Sequence, residues 1–460
     1  MTLPIWKTAI SYPENSVALP RLSRPSLPRV SRQAPPWFLK NNRVKSEQRI
    51  PVPAWMTAPE TRAVTDALGA KGAVVRFVGG CVRDTLLARP VADFDLATPD
   101  SPEVVIALLE EAGLRAIPTG IEHGTITAVA GCKPFEVTTL RHDVETFGRH
   151  ARVSFTDDWE ADSTRRDFTI NAIYCDLDGS LYDPQNGERD LRAGRVRFVG
   201  EARERIAEDV LRLLRFFRFH AWLGRGVADE EALTACREAA AELERLSAER
   251  VWSELKKLLS APDPAPNIRL MEENGILEYV LPEMGMGTEA PFAALTAIEA
   301  KLKEPDPLRR LAILLGDNGA TAKKFATRLK LSNSERDRLT ALLGRSVDLG
   351  GDVGAWRRAL YTSGVALFRD RVLLAWATEN QSYPQANPQG EKFYKKMLAE
   401  AHDWTPPCLP VAGEDVLALG MEPGEAVGDL LTRLEGWWIA GDFRPGREDC
   451  LKKLKTLAQE

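Results

Sequence analysis

The stretch Val75–Asp100, VRFVGGCVRDTLLARPVADFDLATPD, constrains the fold more than any other part of the sequence. Val74–Val78 has the β-branched and aromatic composition of a buried strand, and Gly79-Gly80 ends it where a bare backbone is needed. Asp93 and Asp95 flank one apolar residue, and residues i and i+2 of a strand share a face. We therefore predict two carboxylates side by side, which repel each other unless a cation lies between them.

A third carboxylate extends this candidate site. The second β-like run, Phe135–Leu140, contains Glu136 and could set it beside the two aspartates. Three such carboxylates suit two hard divalent cations with oxygen ligands, a pair that stabilises the attacking and leaving oxygens of phosphoryl transfer. The glycine amides and Arg83 would then face a triphosphate. An isolated Asp-x-Asp is more often a solvated turn, so this interpretation depends on the neighbouring glycines, arginine and glutamate.

Length and composition limit the number of domains and the classes of protein to which the chain can belong. At 460 residues the chain exceeds what one hydrophobic core supports, so two to four domains are expected. No run approaches eighteen apolar residues, and no transmembrane helix is predicted. The six cysteines lie far apart without a C-x-x-C pair, which argues against a disulfide framework or structural zinc and favours the cytoplasm. The net charge is −5, so RNA would have to be held by local arginine clusters.

The pattern along the chain predicts an α+β protein. Residues 1–52, rich in proline, serine and arginine, are predicted to be a disordered basic arm, although a targeting peptide or a misassigned start would share this composition. Short β-like runs alternate with helical segments over 53–199, which indicates a mixed α/β domain. From residue 200 the pattern is helical almost to the end, in segments 200–260, 261–385 and 386–460, without a fixed-period repeat. The β-like runs and early helices are Val74–Val78, Thr125–Ala130, Phe135–Leu140, Ala172–Asp176 and Val196–Val199, with Glu60–Leu68 and Pro102–Ala112.

Two further charged clusters follow the candidate site. Arg165, Arg166 and Asp167 precede the apolar run Ile170–Cys175, which we predict to be a strand. Taken alone, this segment could equally be an exposed charged loop with a surface hairpin.

The second cluster lies within AEDVLRLLRFFRF, residues 207–219. Asp209, Arg212, Arg215 and Arg218 recur at steps of three and would share one broad face of a helix. A solvated Asp–Arg bridge worth ~0.2–0.5 kcal/mol is the simpler interpretation. Three aligned arginines nevertheless repel one another unless an anion compensates them.

Together these segments resemble the class II tRNA nucleotidyltransferases, the family that contains the bacterial CCA-adding enzymes and poly(A) polymerases. The motifs that carry the resemblance, in this order, are VGGCVRD, DFDLAT, HGTITA, FEVTTLR, RRDFTINA, YDPQNGERDL and EDVLRLLRFFRF. They cover residues 72–260, and the later ERVWSELKKLLS and LGMEPGEAVGDLLTRLEGWWIAGDF resemble the family more loosely. The resemblance implies a polymerase beta-like palm domain followed by a helical neck, body and tail, with the tail binding RNA.

The resemblance also implies roles for individual residues. Asp93 and Asp95 would bind two Mg²⁺ ions, and Glu136 would help to activate the attacking 3′-hydroxyl. Asp209 and Arg212 would recognise the base, because a carboxylate accepts from the exocyclic amine of cytosine or adenine while a guanidinium donates to the adjacent acceptor. The nucleotide-binding residues implied in this way are Gly80, Arg83, Arg166, Asp209, Arg212, Arg215 and Arg218.

The implied activity is addition of CCA to tRNA from CTP and ATP, with alternatives inside and outside the family. Members that add only CC lack a loop that is present here as Arg141–Thr164. Poly(A) polymerases carry a GRRFR-like element where this chain has GIEHGTITA, which favours CCA addition over A addition or polyadenylation. The chain has only five histidines, too few for the distributed metal ligands of a phosphohydrolase domain. The presence of all three carboxylates disfavours a catalytically inactive RNA-binding protein. The oligomeric state is left open.

Overall fold

The computed structural model describes residues 48–147, 150–316, 319–344, 351–382 and 388–459. Most of the predicted basic arm, residues 1–47, lies outside them, as do residues 148 and 149 of the predicted loop 141–164. The last residues of that arm are paired: Ile50 N donates to Gly179 O at 2.9 Å, and Leu181 N donates to Gln48 O at 3.1 Å.

One mixed sheet forms the N-terminal part. Its seven strands follow the order β3-β4-β5-β2-β1-β8-β9, with β2 and β5 parallel. Strands β6 and β7 form a separate antiparallel hairpin. The strands are β1 Arg76–Val78, β2 Asp95–Thr98, β3 Arg115–Gly120, β4 Thr125–Ala130, β5 Lys133–Thr139, β6 Arg141–Phe147, β7 His150–Phe155, β8 Tyr174–Asp176 and β9 Leu181–Tyr182.

Six helices accompany the strands within the described residues. They are α1 Ala54–Thr57, α2 Pro59–Gly69, α3 Gly80–Leu86, α4 Pro102–Glu111, α5 Trp159–Thr164 and α6 Gly187–Ala193. Proline at the first position suits the starts of α2 and α4, since its fixed φ fits the helix and its missing N–H is not needed there. Helix α4 buries Val105, Leu108 and Leu109 and packs on β3, β4 and β5. The helix thereby covers the part of the sheet next to the candidate site.

The rest of the described chain is helical, and none of its helices is long and apolar enough to cross a membrane. Helix α17 is kinked at Gly364, whose φ of 75° is left-handed. The helices are α7 Ala202–Glu208, α8 Leu211–Leu223, α9 Glu230–Glu238, α10 Ala248–Leu259, α11 Ala265–Glu273, α12 Leu277–Val280, α13 Glu289–Leu302, α14 Pro307–Leu315, α15 Gly319–Arg328, α16 Asn333–Leu342, α17 Val353–Ser382, α18 Pro388–Asp403, α19 Gly413–Leu417, α20 Glu425–Ala440 and α21 Arg447–Leu457. The α+β fold is thus confirmed.

Buried side chains form one large core, a C-terminal core and a small cluster of Val78, Ala97, Leu140 and Tyr174. The large core extends from Met56 to Ala401 and joins the sheet to the helices as far as α18. Buried residues between Val411 and Leu457 form the second core, and Tyr361 of α17 packs against it. The fully buried Arg310 donates to Leu259 O at 2.5 Å and to Ala261 O at 2.6 Å, which fixes the end of α10 to α14.

Two predicted strands differ from the structure. Val196–Val199 forms no strand, and its Phe198 makes a single isolated bridge with Phe168. The run Ile170–Cys175 begins instead as a 3₁₀ turn over Thr169–Asn171, and β8 starts only at Tyr174. Both runs are apolar because they are buried, and an apolar run alone does not distinguish a strand from a buried turn.

Candidate active site

The turn between β1 and α3 begins the site. Gly79 has a φ of 74°, a left-handed value that side chains rarely adopt, and Gly80 starts α3. A side chain at Gly79 would also contact Asp95, since its Cβ would lie 3.6 Å from Asp95 Oδ2. The turn therefore brings the backbone of α3 next to the carboxylate, and one helical turn later Arg83 follows.

Strand pairing places Glu136 beside Asp95. The two residues are direct partners in the parallel β2–β5 pair, and Glu136 N donates to Phe94 O at 2.9 Å. Asp93 does not lie in a strand, because β2 begins at Asp95, so the predicted same-strand geometry of the two aspartates is wrong. Asp93 is exposed just before the strand.

Electrostatics nevertheless connects the three carboxylates. Burial, followed by the charges of Glu136 and Asp93, raises the pKa of Asp95 to about 6, against the opposing effect of Arg166 and Arg83. A divalent cation would relieve this repulsion, and the donors are all carboxylate oxygens, the ligands that hard cations prefer. Across the described residues, no group of three or more His, Cys, Asp or Glu side chains is arranged to hold a metal. The arrangement fits a cation bound by one or two carboxylates together with substrate phosphates.

An aromatic stack supports the carboxylates. Phe94, the residue between the two aspartates, stacks on Phe135 at 5.2 Å and lies 5.4 Å from Trp55. The Trp55 indole donates to Thr85 Oγ1 at 3.1 Å. Because Phe135 precedes Glu136 and Thr85 lies in α3, one stack joins the three elements that carry the site.

Asp162 in α5 anchors the two arginines that follow it. The buried carboxylate accepts from Arg165 Nε at 2.9 Å, Arg166 Nη2 at 2.9 Å and Tyr174 Oη at 2.7 Å. Burial raises the pKa of Asp162, but Arg166 and Arg165 outweigh it and lower the pKa to about 2. Arg166 is therefore a fixed cation within the domain, and the exposed-loop interpretation of this segment does not hold.

A hydrogen-bonded chain continues from α3 to α8. Arg83 Nη1 donates to Asn171 Oδ1 at 2.7 Å, and Asn171 Nδ2 donates to Asp167 Oδ1 at 3.0 Å. Asp167 Oδ2 accepts in turn from Arg215 Nε at 2.7 Å. Burial opposes ionisation of Asp167, yet the charge of Arg215 and the hydrogen bonds lower its pKa to about 2. Asp167 thus links the α/β domain to the first long helix beyond it.

Asp209 and Arg212 lie at the junction of α7 and α8 rather than on one helix. Asp209 is extended, with φ −151° and ψ 104°, and accepts from Arg250 Nη2 at 2.6 Å. Arg212 pairs with Glu208 and donates to Arg165 O at 3.2 Å. The predicted common helix face is therefore wrong for Asp209, because α7 ends at Glu208. Arg212 N donates to Asp209 O at 2.9 Å, but the side chains of both residues bond to other groups, so they do not form the simple side-chain bridge of a helix either.

Arg215 and Arg218 lie on α8 as predicted. Arg215 pairs with Asp167, and Arg218 Nε lies 2.8 Å from Glu254 Oε2, out of line for a hydrogen bond. Burial lowers the pKa of Arg218 to about 10 despite the charge of Glu254. The compensating negative charge expected for these arginines is supplied at least in part by two carboxylates of the protein itself, Asp167 and Glu254.

Several supporting residues were not predicted. The signal for Asp167 and Asn171 was present, since both lie in RRDFTINA. Arg250 and Glu254 lie in ERVWSELKKLLS, which forms α10 and packs against α8. No sequence motif indicated that Trp55 supports the site, because it precedes the first glycine of the site by 24 residues and lies outside the recognised motifs.

The chain is similar in sequence and in fold to known proteins. Residues 75–197 match the family described as Poly A polymerase head domain, and residues 228–286 match Probable RNA and SrmB- binding site of polymerase A. The chain is 36% identical to CCA tRNA nucleotidyltransferase 1, mitochondrial, of Danio rerio over 83% of this chain and 86% of that protein. It is 31% identical to the CCA-adding enzyme of Latilactobacillus sakei subsp. sakei over 86% of this chain and 97% of that protein. The crystal structure of the Bacillus stearothermophilus CCA-adding enzyme with CTP is similar with a TM-score of 0.70 and 29% identity, covering 87% of this chain and 97% of that one.

Proposed function

The chain belongs to the family of CCA tRNA nucleotidyltransferases and CCA-adding enzymes, and from this premise we propose that it adds or repairs the 3′-terminal CCA of tRNA. The reaction is template-independent transfer of nucleotides from CTP and ATP. The observation that carries the proposal is the register of Asp95 against Glu136, with Asp93, Arg83 and Arg166 around the same carboxylate. Carboxylates for metal and arginines for phosphate occur here together.

Membership of the family implies dependence on a divalent metal. We propose that the metal is Mg²⁺ and that Asp93 and Asp95 bind two such ions, with Glu136 orienting the attacking 3′-hydroxyl. When bound, the metal would neutralise charge on the transferred phosphoryl group. The protein contributes the placement of both carboxylates, since β2 fixes Asp95 and the Phe94 stack fixes the residue between them.

Five residues are proposed to bind the triphosphate. The backbone of Gly80 permits close approach, and Arg83 and Arg166 flank the carboxylates. The hydrogen bonds described for Arg166 use Nε and Nη2, which leaves Nη1 for a phosphate as far as the described residues show. Arg215 and Arg218 approach from α8.

Base selection is assigned to Asp209 and Arg212. The carboxylate would accept from the exocyclic amine of cytosine or adenine, and the guanidinium would donate to the neighbouring ring acceptor. Uracil and guanine present the opposite polarity at these positions. Arg250 and Glu208 hold the two groups before a nucleotide arrives, so binding of the base exchanges or shares these partners.

The partner tRNA is assigned to the helical part of the chain. A CCA-adding enzyme of Thermotoga maritima complexed with tRNA has the same fold at 20% identity. We propose a neck at 200–260, a body at 261–385 and a tail at 386–460, with the tail in contact with RNA. A cytoplasmic location is proposed because all six cysteines are free, which suits a reducing compartment. Cell fractionation distinguishes this from the mitochondrial location in the names of the vertebrate relatives.

The product identifies the activity. Purified protein is incubated with Mg²⁺, labelled CTP or ATP, and tRNA transcripts that end before CCA, after C or after CC. We expect two C additions and one A addition, in that order, and then arrest. Addition of A alone would identify an A-adding enzyme, a long A tail would identify a poly(A) polymerase, and RNA binding without incorporation would identify an inactive member.

A further inference from the structure

Three of the proposed nucleotide-binding arginines surround one aromatic ring. The guanidinium carbons of Arg83, Arg215 and Arg218 lie 5.2, 5.4 and 4.2 Å from the centroid of Phe219. All three distances are within the ~6 Å over which a cation is attracted to the face of an aromatic ring. Arg83 comes from α3 and the other two come from α8, so the ring is a contact shared across two elements.

The ring itself is held in place. Phe219 lies in α8 with 7% of its surface exposed, and it packs edge-on against Phe168 at 5.3 Å. Phe168 is fully buried, and its ring centroid lies 4.7 Å from that of Phe198 in a tilted arrangement. Phe168 follows Asp167 directly, so the residue that supports the ring is next to the carboxylate that pairs with Arg215. The ring therefore has a fixed orientation relative to the arginines.

Hydrogen bonds and ion pairs hold all three arginines but connect only two of them to each other. Arg83 donates to Asn171, Arg215 pairs with Asp167, and Arg218 faces Glu254. Asp84 also accepts from Arg83 Nε and Nη2, and Asn171 and Asp167 connect Arg83 to Arg215, but among the described residues no hydrogen bond joins Arg218 to this chain. Phe219 is the side chain that all three share, and its negative face offsets part of the repulsion among like charges.

We propose that Phe219 is a positioning residue that gathers Arg83, Arg215 and Arg218 for the triphosphate of the incoming nucleotide. This inference rests on the proposed function, in which these arginines bind CTP and ATP. A triphosphate is common to every nucleotide, so the ring affects the affinity for CTP and ATP alike and leaves the choice of base unchanged.

The test compares Phe219→Leu, which keeps apolar bulk but removes the ring, with Phe219→Tyr, which keeps the ring. Steady-state incorporation on tRNA lacking CCA gives KM and kcat for CTP, and tRNA ending in CC gives them for ATP. We expect Phe219→Leu to raise both KM values about three- to thirty-fold, with the UTP-to-CTP ratio and tRNA affinity unchanged. Phe219→Tyr should keep both KM values within about threefold of the wild type, which is about half of a tenfold step in free energy.

Phe217→Leu is the matched control. Phe217 lies on the same helix, is fully buried and packs on Phe216, and no cation–π contact is recorded for it among the described residues. An equal rise in KM for Phe217→Leu would overturn the inference, because the effect would then be general loss of packing. Unchanged KM values for Phe219→Leu would overturn it as well.

Two further variants separate the possible failures. If Phe219→Leu does not fold, Phe219→Met tests the same loss of the ring in a more adaptable side chain, with binding measured from the CTP-induced rise in Tm. Arg215→Ala tests the underlying assignment. If Arg215→Ala leaves KM for CTP unchanged, the proposed triphosphate role fails, whereas a raised KM together with an unaffected Phe219→Leu contradicts only the role of the ring.

Discussion

At the scale of single residues, the proposed nucleotide-binding side chains are already engaged with other parts of the protein. Asp209 is held by Arg250, Arg215 by Asp167, and Arg166 by Asp162. Such preformed contacts lower the entropic cost of binding, because the side chains need not be ordered by the ligand. Removing one partner of a buried charge pair therefore affects both stability and function.

The base-recognition proposal gives the first prediction. Asp209→Ala and Arg212→Ala each remove one half of the hydrogen-bonding pattern that distinguishes C and A from U and G. One bidentate pair contributes about 1–3 kcal/mol of discrimination, so we expect UTP or GTP incorporation relative to CTP to rise about five- to hundred-fold. Competition between labelled UTP and CTP on tRNA lacking CCA measures this ratio.

Arg215→Ala serves as the control for base recognition. A triphosphate contact weakens every nucleotide to the same degree, so this variant should lower incorporation without changing the UTP-to-CTP ratio. Full selectivity for C and A in both Asp209→Ala and Arg212→Ala would contradict the assignment.

The buried carboxylates Asp162 and Asp167 give a prediction for acid stability. Each has a pKa of about 2 in the folded state, below the ordinary value of 3.8. The stabilisation is therefore present above pH 4 and is lost as the pH falls toward 2, by about 2 kcal/mol per carboxylate. Urea unfolding of the wild type and of Asp162→Asn between pH 5 and 3 measures it. The variant should be less stable at pH 5 but lose less on acidification, and parallel pH profiles would argue against this contribution.

The residue types of the site could be predicted from the sequence, but most of their partners could not. Asp93, Asp95 and Glu136 were identified because short motifs limit which chemistry is possible. Arg250 lies 41 residues from Asp209, and Arg215 lies 48 from Asp167, separations that reflect packing of α10 and α8 rather than any local pattern. The compensation of the arginines by protein carboxylates was missed for this reason.

At the scale of elements, the sequence pattern predicted the bounds of a strand or helix well where one face of that element is buried. Thr125–Ala130 alternates buried and partly exposed residues and forms β4 with the predicted bounds, and the predicted helix Pro102–Ala112 ends one residue early as α4. The strand predicted over Val196–Val199 is wrong, because its apolar residues are buried by packing and have no partner strand. The hairpin β6–β7 was treated only as a loop, because its strands pair with each other and not with the main sheet.

The stack Trp55–Phe94–Phe135 gives the prediction at this scale. Trp55→Leu removes the ring that supports the segment between Asp93 and Asp95, and an aromatic pair is worth ~0.5–1.5 kcal/mol beyond its buried area. We expect the Mg²⁺ concentration for half-maximal CTP incorporation to rise about two- to ten-fold, with tRNA affinity unchanged. A Mg²⁺ titration of the activity measures this change.

The matched control is Trp252→Leu. Trp252 is a buried tryptophan of α10 that packs on Phe325 of α15, and neither helix carries one of the three carboxylates. The Trp252→Leu substitution should lower the free energy of unfolding and leave the Mg²⁺ concentration for half-maximal incorporation unchanged. A shift of equal size in both variants would assign the Trp55 effect to general destabilisation.

At the scale of the whole molecule, the two largest cores determine where the chain can be divided. Met397, Leu398 and Ala401 of α18 belong to the large core, and Val411–Leu457 form the second core. A truncation at the predicted boundary of 386 would therefore remove part of the large core along with the tail. A cut after Trp404 keeps α18 and the large core intact. Truncation there is therefore a more specific test of RNA binding by the tail than truncation at 386.

Deletion of residues 405–460 is the prediction at this scale. We expect tRNA affinity to fall at least tenfold and its salt dependence to weaken, because contacts to phosphates and 2′-hydroxyls are lost. CTP binding should persist, since the site lies entirely in the remaining part. Filter binding across a salt series measures the affinity, and an unchanged affinity would exclude a role for the tail.

The central claim is that Asp93 and Asp95 hold the metal for nucleotide transfer, and the most direct measurement is single-turnover incorporation of labelled CTP on tRNA lacking CCA. Asp93→Ala and Asp95→Ala should abolish incorporation while the Tm and tRNA affinity stay close to those of the wild type, because Asp93 is exposed and burial disfavours the charge of Asp95. Glu136→Ala should retain residual activity, since Glu136 orients the hydroxyl and does not anchor the metal. Measurable turnover in either aspartate variant would contradict the account.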